Sequence, residues 1–224
     1  MSTARLSDKA YEHIKTKMLS GHLSTTEWLP IESIASELGS SRQPVMDAIK
    51  KLALEGFIEI VPQVGCRLSI PDRREIEDFY NLFATAEGLI AQLAAERASP
   101  SDKLSLKMIS AQIGELVDNS GGQLAELGEN YRVLNRQLHS DMRRICRSPS
   151  VTSIVESLGD RSDFYIAVGQ RPVFAQNIEA AYAEHEEVVR AIAAGDGPGA
   201  RRAMEQHIQN TRKRLFEQTT LWKE

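Results

Sequence analysis

Five consecutive residues, Ser41-Arg42-Gln43-Pro44-Val45, limit what this chain can fold into more than any other stretch. They follow a short segment of apolar periodicity that closes at Gly39, and they open a second that runs to Glu55. Proline is tolerated in a helix only in the first turn, where its missing N–H has no partner to lose. Ser41 therefore reads as the N-cap of the second helix, and Gly39 as the left-handed residue that ends the first. Two helices joined by so short a turn form a helix-turn-helix. The second helix of such a pair is the one that enters the DNA major groove, with the residues of its first turn at the base edges.

The flanking sequence extends this unit. Leu6 to Ser20 reads as a helix, with Tyr11, Ile14 and Met18 at helical spacing and Gly21 as its stop. Pro30 starts the next, whose inner face is Ile31, Ile34, Ala35 and Leu38. Val45, Ile49, Leu52 and Ala53 form the buried stripe of the third, which Gly56 breaks. Residues 57–62 and 66–70 then alternate like strands around Gln63-Val64-Gly65. The expectation is a hairpin wing, with Gly65 at a tip that can approach a phosphate backbone closely. Residues 1–71 thus read as a winged helix-turn-helix DNA-binding domain.

Pro71-Asp72 marks a boundary, after which no strand signal appears. Amphipathic helices are expected at about 73–98, 101–117, 122–148, 150–168, 174–195 and 197–219, separated by short Ser/Pro/Gly/Asn/Asp breaks. Residues 72–224 therefore read as an all-α bundle of about six helices.

The chain carries a formal net charge of −4. A DNA-binding surface must then be local. The first 72 residues show no excess of positive charge: Arg5, Lys9, Lys15, Lys17, Arg42, Lys50, Lys51 and Arg67 stand against nine acids. Two distant cysteines, Cys66 and Cys146, make no disulfide framework and no C-x-x-C pair. The N-terminal MSTARLSDKAYEHI has no apolar core and is not a signal peptide, and no apolar run approaches membrane-spanning length. A cytoplasmic protein without a membrane partner is expected.

Three sets of residues carry a resemblance. The first is Ile34-Ala35-Ser36-Glu37-Leu38-Gly39-Ser40-Ser41-Arg42-Gln43-Pro44-Val45, continued by Ala48-Ile49-Lys50-Lys51-Leu52, Glu55-Gly56-Phe57 and Gly65. The second is Ala86-Glu87-Gly88-Leu89 with Leu93-Ala94-Ala95-Glu96-Arg97. The third is His185-x-x-Val188-x-x-Ala191-Ile192-x-x-Gly195-Asp196, ending at His207. In these the chain resembles the GntR family of bacterial transcription regulators, in its FadR-type subgroup with a helical FCD effector domain.

The resemblance implies a ligand-responsive regulator, in most cases a repressor, that binds a palindromic operator in double-stranded DNA as a homodimer. Arg42, Gln43, Met46, Lys50, Gly65 and Arg67 are the expected DNA-binding residues. Met46 stands where the family has an arginine. It can pack on a thymine methyl but cannot bond guanine bidentately, so the operator should depart from the family's usual sequence. Many relatives hold a divalent metal with Asp, His, His and His. The matching positions here are Asn135, in place of the aspartate, with His139, His185 and His207. Imidazole suits zinc, and also nickel. Neutral ligands leave the ion positive and favour a small carboxylate effector. Phe83 stands where an effector-binding arginine is expected, and Arg132, Arg161 and Tyr165 are further effector candidates. Glu87 is expected to bond within the bundle, and His13 and His22 to be ordinary surface or packing residues.

Two other readings fit three histidines on helices. One is a metal sensor, with the ion itself as effector. The other is a metalloenzyme, but no H-E-x-x-H and no general base beside His139 accompanies it, and an enzyme would leave the winged domain unexplained.

Overall fold

The computed structural model describes residues 3–118, 124–169, 177–219 and 221–222. Its elements run α1 (Thr3–Leu19), α2 (Ile31–Glu37), α3 (Arg42–Leu54), β1 (Ile58–Val61), β2 (Gly65–Leu68), α4 (Arg73–Arg97), α5 (Pro100–Asp118), α6 (Leu124–Ile145), α7 (Pro149–Val168), α8 (Ile178–Ala194) and α9 (Gly197–Gln218). Among the described residues the fold is mostly helical, three helices and a hairpin followed by six helices, as expected. Two compact units result, one of residues 1–72 with 163–170, the other of residues 73–162 with 171–224.

In the first unit α1 buries Ala10, Tyr11, Ile14 and Met18 against Val45, Ala48, Ile49 and Leu52 of α3. Ala48 takes the place expected for Ala53, which is half-buried. Gly39 has φ +57° and follows the C-cap Leu38, so the turn between α2 and α3 closes through the left-handed residue that the sequence placed there. Ser41 holds the extended backbone of an N-cap, but its side chain makes no capping bond. The Tyr11 hydroxyl donates to Glu55 at 2.8 Å and ties α1 to the end of α3. Phe57 packs edge-on against Phe164 with ring centroids 5.2 Å apart, which draws the end of α7 into this core.

The wing departs from its sequence reading by one residue. Gly65 is not in the turn: it opens β2, opposite Val61. The turn is Pro62-Gln63-Val64, with Gln63 as the left-handed residue at φ +63°. The absent side chain at Gly65 has a different explanation, because a Cβ there would lie 3.0 Å from the Trp28 indole.

In the second unit α4 is the central helix, buried at Ile76, Tyr80, Phe83, Ala84, Glu87, Ile90, Ala91 and Ala94. It packs against α9, α6 and α8. Gly88 permits the approach of α9, since a Cβ there would meet Glu205 Cγ at 2.7 Å. Helix α6 stops at Ile145, short of the expected 148. Arg147 turns left-handed at φ +50°, and Pro149 disfavours the helical backbone for Ser148 and starts α7. The starts expected at 122 and 174 lie outside the described residues.

Candidate nucleic-acid interface and metal centre

The buried stripe of α3 leaves Gln43, Met46, Asp47, Lys50 and Leu54 on its other side. This follows from helical spacing, and it puts four of the expected DNA-binding residues, Arg42, Gln43, Met46 and Lys50, along one stretch of one helix. The polar ones are engaged with carboxylates. Arg42 pairs with Glu32 at 3.3 Å, and Asp47 accepts from Gln43 Nε2 at 3.0 Å and Lys50 Nζ at 3.3 Å. On the wing, Arg67 donates to Glu59 across the strand pair at 2.8 Å and lies over the Trp28 ring, 5.6 Å from its centroid. Lys51 sits over the Tyr11 ring, 3.9 Å from its centroid. The three ion pairs, Arg42 with Glu32, Lys50 with Asp47 and Arg67 with Glu59, are exposed, so water competes for them and each contributes little to stability. Asp47, Glu59 and Trp28 were not singled out in the sequence. The i, i+4 spacing of Gln43 and Asp47 was the available signal.

The second unit treats its polar groups differently. His139 on α6, His185 on α8 and His207 on α9 are buried, and one ring nitrogen of each lies within 4.8 Å of the others. His139 Nε2 and His185 Nε2 are 3.3 Å apart. Two nitrogens bound tetrahedrally to one zinc at its usual bond length lie about 3.3 Å apart, so this pair already has the separation a shared ion needs.

Each far nitrogen has a polar neighbour behind it. His207 Nδ1 is 2.8 Å from Glu184, whose two oxygens also accept from Arg214 at 2.7 and 3.0 Å and from Asn210 at 2.7 Å. His185 Nδ1 is 3.5 Å from the Tyr131 hydroxyl, and His139 Nδ1 is 3.5 Å from Glu87 Oε2. Glu87, fully buried, also makes a close ion pair with Arg143, so it bonds within the bundle as expected. Outer partners of this kind fix ring orientation and leave Nε2 available to an ion.

The electrostatics suit a cation. Burial, then the neighbouring histidines and Arg214, hold His185 well below its ordinary value. Burial also lowers His207, against the raising effect of Glu184. Both are therefore neutral ligands at pH 7. Burial pushes the Glu87 and Glu184 carboxyls up, but Arg143 and His139 beside the first, and His207 and Arg214 beside the second, outweigh it and hold each at about 2. Both outer carboxylates are thus ionised, each with an arginine partner. Three imidazoles around a buried point, with charge-balanced groups behind them, could hold a divalent ion.

The remaining site residues divide. Asn135 stands one turn before His139 on α6, half-buried. Phe83 is buried beside Phe79 and Tyr80, one turn before Glu87 on α4, which places an aromatic cluster next to the residue behind His139. Arg132 donates twice to Glu129, at 2.7 and 2.9 Å. Arg161 is half-buried on α7, and Tyr165 lies in the 163–170 segment of the first unit rather than among the residues of the histidine cluster. His13 bonds Glu37 at the surface and His22 bonds Ser20. Glu184, Tyr131 and Arg214 were missed. A signal existed for the first: Glu184 and His207 each stand eleven residues from the Gly195-Asp196 turn, so an antiparallel helix pair brings them together.

Comparison with known proteins agrees with both parts. Residues 6–68 match the family model described as bacterial regulatory proteins, gntR family, and residues 78–210 match the FCD domain. The chain is 26% identical over 204 residues to an uncharacterized HTH-type transcriptional regulator in an unstable DNA locus of Streptomyces ambofaciens, covering 89% of this chain and 80% of that one. It is 24% identical over 233 residues to the Exu regulon transcriptional regulator of Escherichia coli K12, covering 96% and 86%. Among solved structures it resembles E. coli McbR/YncC with a TM-score of 0.77 at 19% identity, covering 97% of this chain and 99% of that one. The first two are named as transcriptional regulators, in agreement with the reading of a regulator rather than an enzyme. No helix among the described residues is long and apolar enough to cross a membrane.

Proposed function

Because this chain belongs to the GntR family of bacterial regulatory proteins and carries an FCD domain, we propose that it is a transcription regulator whose DNA binding responds to a small organic acid bound at a metal site. That it is a DNA-binding regulator follows from the family. The metal, the acid and the sign of the response are our reading. Residues 1–71 bind DNA through Arg42, Gln43, Met46 and Lys50 of α3 and through the wing at Gly65 and Arg67. Residues 72–224 bind the ligand and dimerise. One α3 contacts one half-site, so the active form is a homodimer on a palindromic operator. It acts as a repressor in the cytoplasm.

The observation that carries the ligand reading is the histidine cluster, with each far nitrogen backed by Glu87, Glu184 or Tyr131. His139, His185 and His207 hold the ion, zinc before nickel, and Asn135 is a weak fourth ligand. The bound metal supplies a positive anchor for a carboxylate. Because Arg143 and Arg214 are already paired with Glu87 and Glu184, the ion is the strongest uncompensated charge in the site. Phe83, Arg132 and Arg161, all in the second unit, are the side chains proposed to meet the rest of the effector. An acid that binds one arrangement of the dimer more tightly shifts the population and releases the operator.

The test is the metal content of untagged protein, wild type against His139→Ala and His207→Ala. Near-stoichiometric zinc or nickel in the wild type, lost in both variants, supports the site. Wild-type protein that takes up no metal after incubation with zinc removes it.

A further inference from the structure

Asp47 is the only acid in α3, and it stands in the middle of the helix's outward side. Gln43 precedes it by one turn, Lys50 follows by three residues, and Leu54, 91% exposed, continues the same side. A carboxylate here faces any duplex that α3 approaches. Phosphates repel it, and neutral or basic residues would serve non-specific binding better. Its present partners, Gln43 and Lys50, are exposed side chains at 3.0 and 3.3 Å. Water already competes for such bonds, so both partners can turn to DNA at little cost.

We propose that Asp47 is a specificity-determining residue that reads cytosine. The inference rests on the reading that α3 enters the major groove. An ionised carboxylate only accepts hydrogen bonds. The major groove offers two base amino groups to an acceptor, cytosine N4 and adenine N6. Adenine N6 stands beside the N7 lone pair of the same base, which repels the second carboxylate oxygen. Cytosine N4 stands beside a C–H edge, so cytosine is the base that suits Asp47. The neighbouring Met46 makes only apolar contact and cannot supply this discrimination. Asp47 therefore does two things at once: it lowers affinity for DNA in general and restores it where a cytosine amino group replaces the lost Gln43 and Lys50 bonds.

The test is selection of duplexes from a randomised library by the full-length protein, wild type beside Asp47→Ala and Asp47→Asn. Alanine is the strongest helix former, so the first variant keeps α3, and circular dichroism checks it. The wild type should enrich cytosine at one position of each half-site. Asp47→Ala should lose that preference, a change of roughly ten-fold at that position, while the other positions keep theirs. Asp47→Asn should move the preference to adenine, whose N6 and N7 an amide matches bidentately. If Asp47→Ala retains every base preference and changes affinity uniformly, Asp47 only neutralises charge and the proposal is overturned. If the wild type enriches no sequence, the reading of α3 as a groove-entering helix fails with it.

Discussion

The first unit keeps its functional polar groups in water, and the second keeps them out of it. Arg42, Lys50 and Arg67 pair with Glu32, Asp47 and Glu59 through exposed side chains that exchange with solvent. His139, His185 and His207 are buried, as is Glu87, and Arg143 and Arg214 pair with Glu87 and Glu184 with little exposure. The difference suits the two tasks proposed for them. A DNA surface must give up its internal pairs to meet phosphates and bases, so weak exchangeable pairs suit it. An ion site must hold its ligands in place beforehand, so locked buried pairs suit it, at the cost of high sensitivity to losing one partner.

The strongest way to break this contrast is Glu87→Ala. It removes the carboxylate behind His139 and leaves Arg143 without its ion-pair partner in a mostly buried setting. Breaking a buried pair from one side costs about 3–5 kcal/mol. Urea unfolding of the chelator-treated protein should show a loss of that size. A loss below about 1 kcal/mol would mean that the second unit tolerates disruption as the surface pairs do, and the contrast would fail. Metal supply is the next largest effect. If the assembled histidines hold zinc as proposed, and the unfolded chain only weakly, zinc at about 100 times its dissociation constant should stabilise the folded chain by about 2.7 kcal/mol. Thermal melts with and without chelator measure it, and His185→Ala should abolish the difference.

Legibility in the sequence follows the same division. The three helices, the break at Gly39 and the bundle helices come from spacing and local punctuation, which act over a few residues. Gly65 was misplaced because a glycine between two strands looks like a turn, and nothing nearby in sequence shows that Trp28 comes to cover it. The three histidines were legible as a family pattern on separate helices. Their outer partners were not, apart from Glu87, because Tyr131 and Glu184 meet them, and Arg214 meets Glu184, only through packing between helices. Glu184 was recoverable from the turn at Gly195-Asp196, and Tyr131 was not. The carboxylates beside Arg42, Lys50 and Arg67 are near neighbours in the chain or across the hairpin. They explain why a DNA-binding unit shows no excess of basic residues: its positive groups are balanced where they stand.

Asp102 lies between the two extremes and sharpens the comparison by pH. Its side chain is nearly buried, and the Ser99 hydroxyl and backbone N–H, then Arg144, hold its carboxyl at about 2, with Arg147 also within 3.2 Å. An unfolded aspartate titrates near 3.9, so the folded group is depressed. Its contribution is complete above about pH 4 and is lost as the pH falls through about 2. Full linkage would give about 2.5 kcal/mol. Arg144 and Arg147 are more than half exposed, and screening reduces this to about 1 kcal/mol. Asp102→Asn should therefore lower stability by about 1 kcal/mol at pH 7 and by much less at pH 2. An equal loss at both values would show that hydrogen-bond geometry, not charge, holds this corner.

The smallest effect on stability comes from the DNA surface, where the comparison is most specific. Lys50→Ala and Arg67→Ala each remove an exposed cation from a pair that water already contests. Each should change unfolding free energy by less than about 0.5 kcal/mol. The same substitutions should be visible in DNA binding. A cation that leaves its carboxylate for a phosphate releases condensed counterions, so its loss should reduce the slope of log affinity against log salt by about one. Arg67 has a second constraint, because the Trp28 ring beneath it limits where the guanidinium can turn. Trp28→Ala should leave the Arg67 charge in place and so leave the salt slope nearly unchanged, while lowering affinity by freeing the side chain that the ring holds. If Lys50→Ala and Arg67→Ala leave the salt slope intact, those cations stay with Asp47 and Glu59 in the complex. The exposed pairs would then be fixed structure like the buried ones, and exchange with water would not be what prepares this surface for DNA.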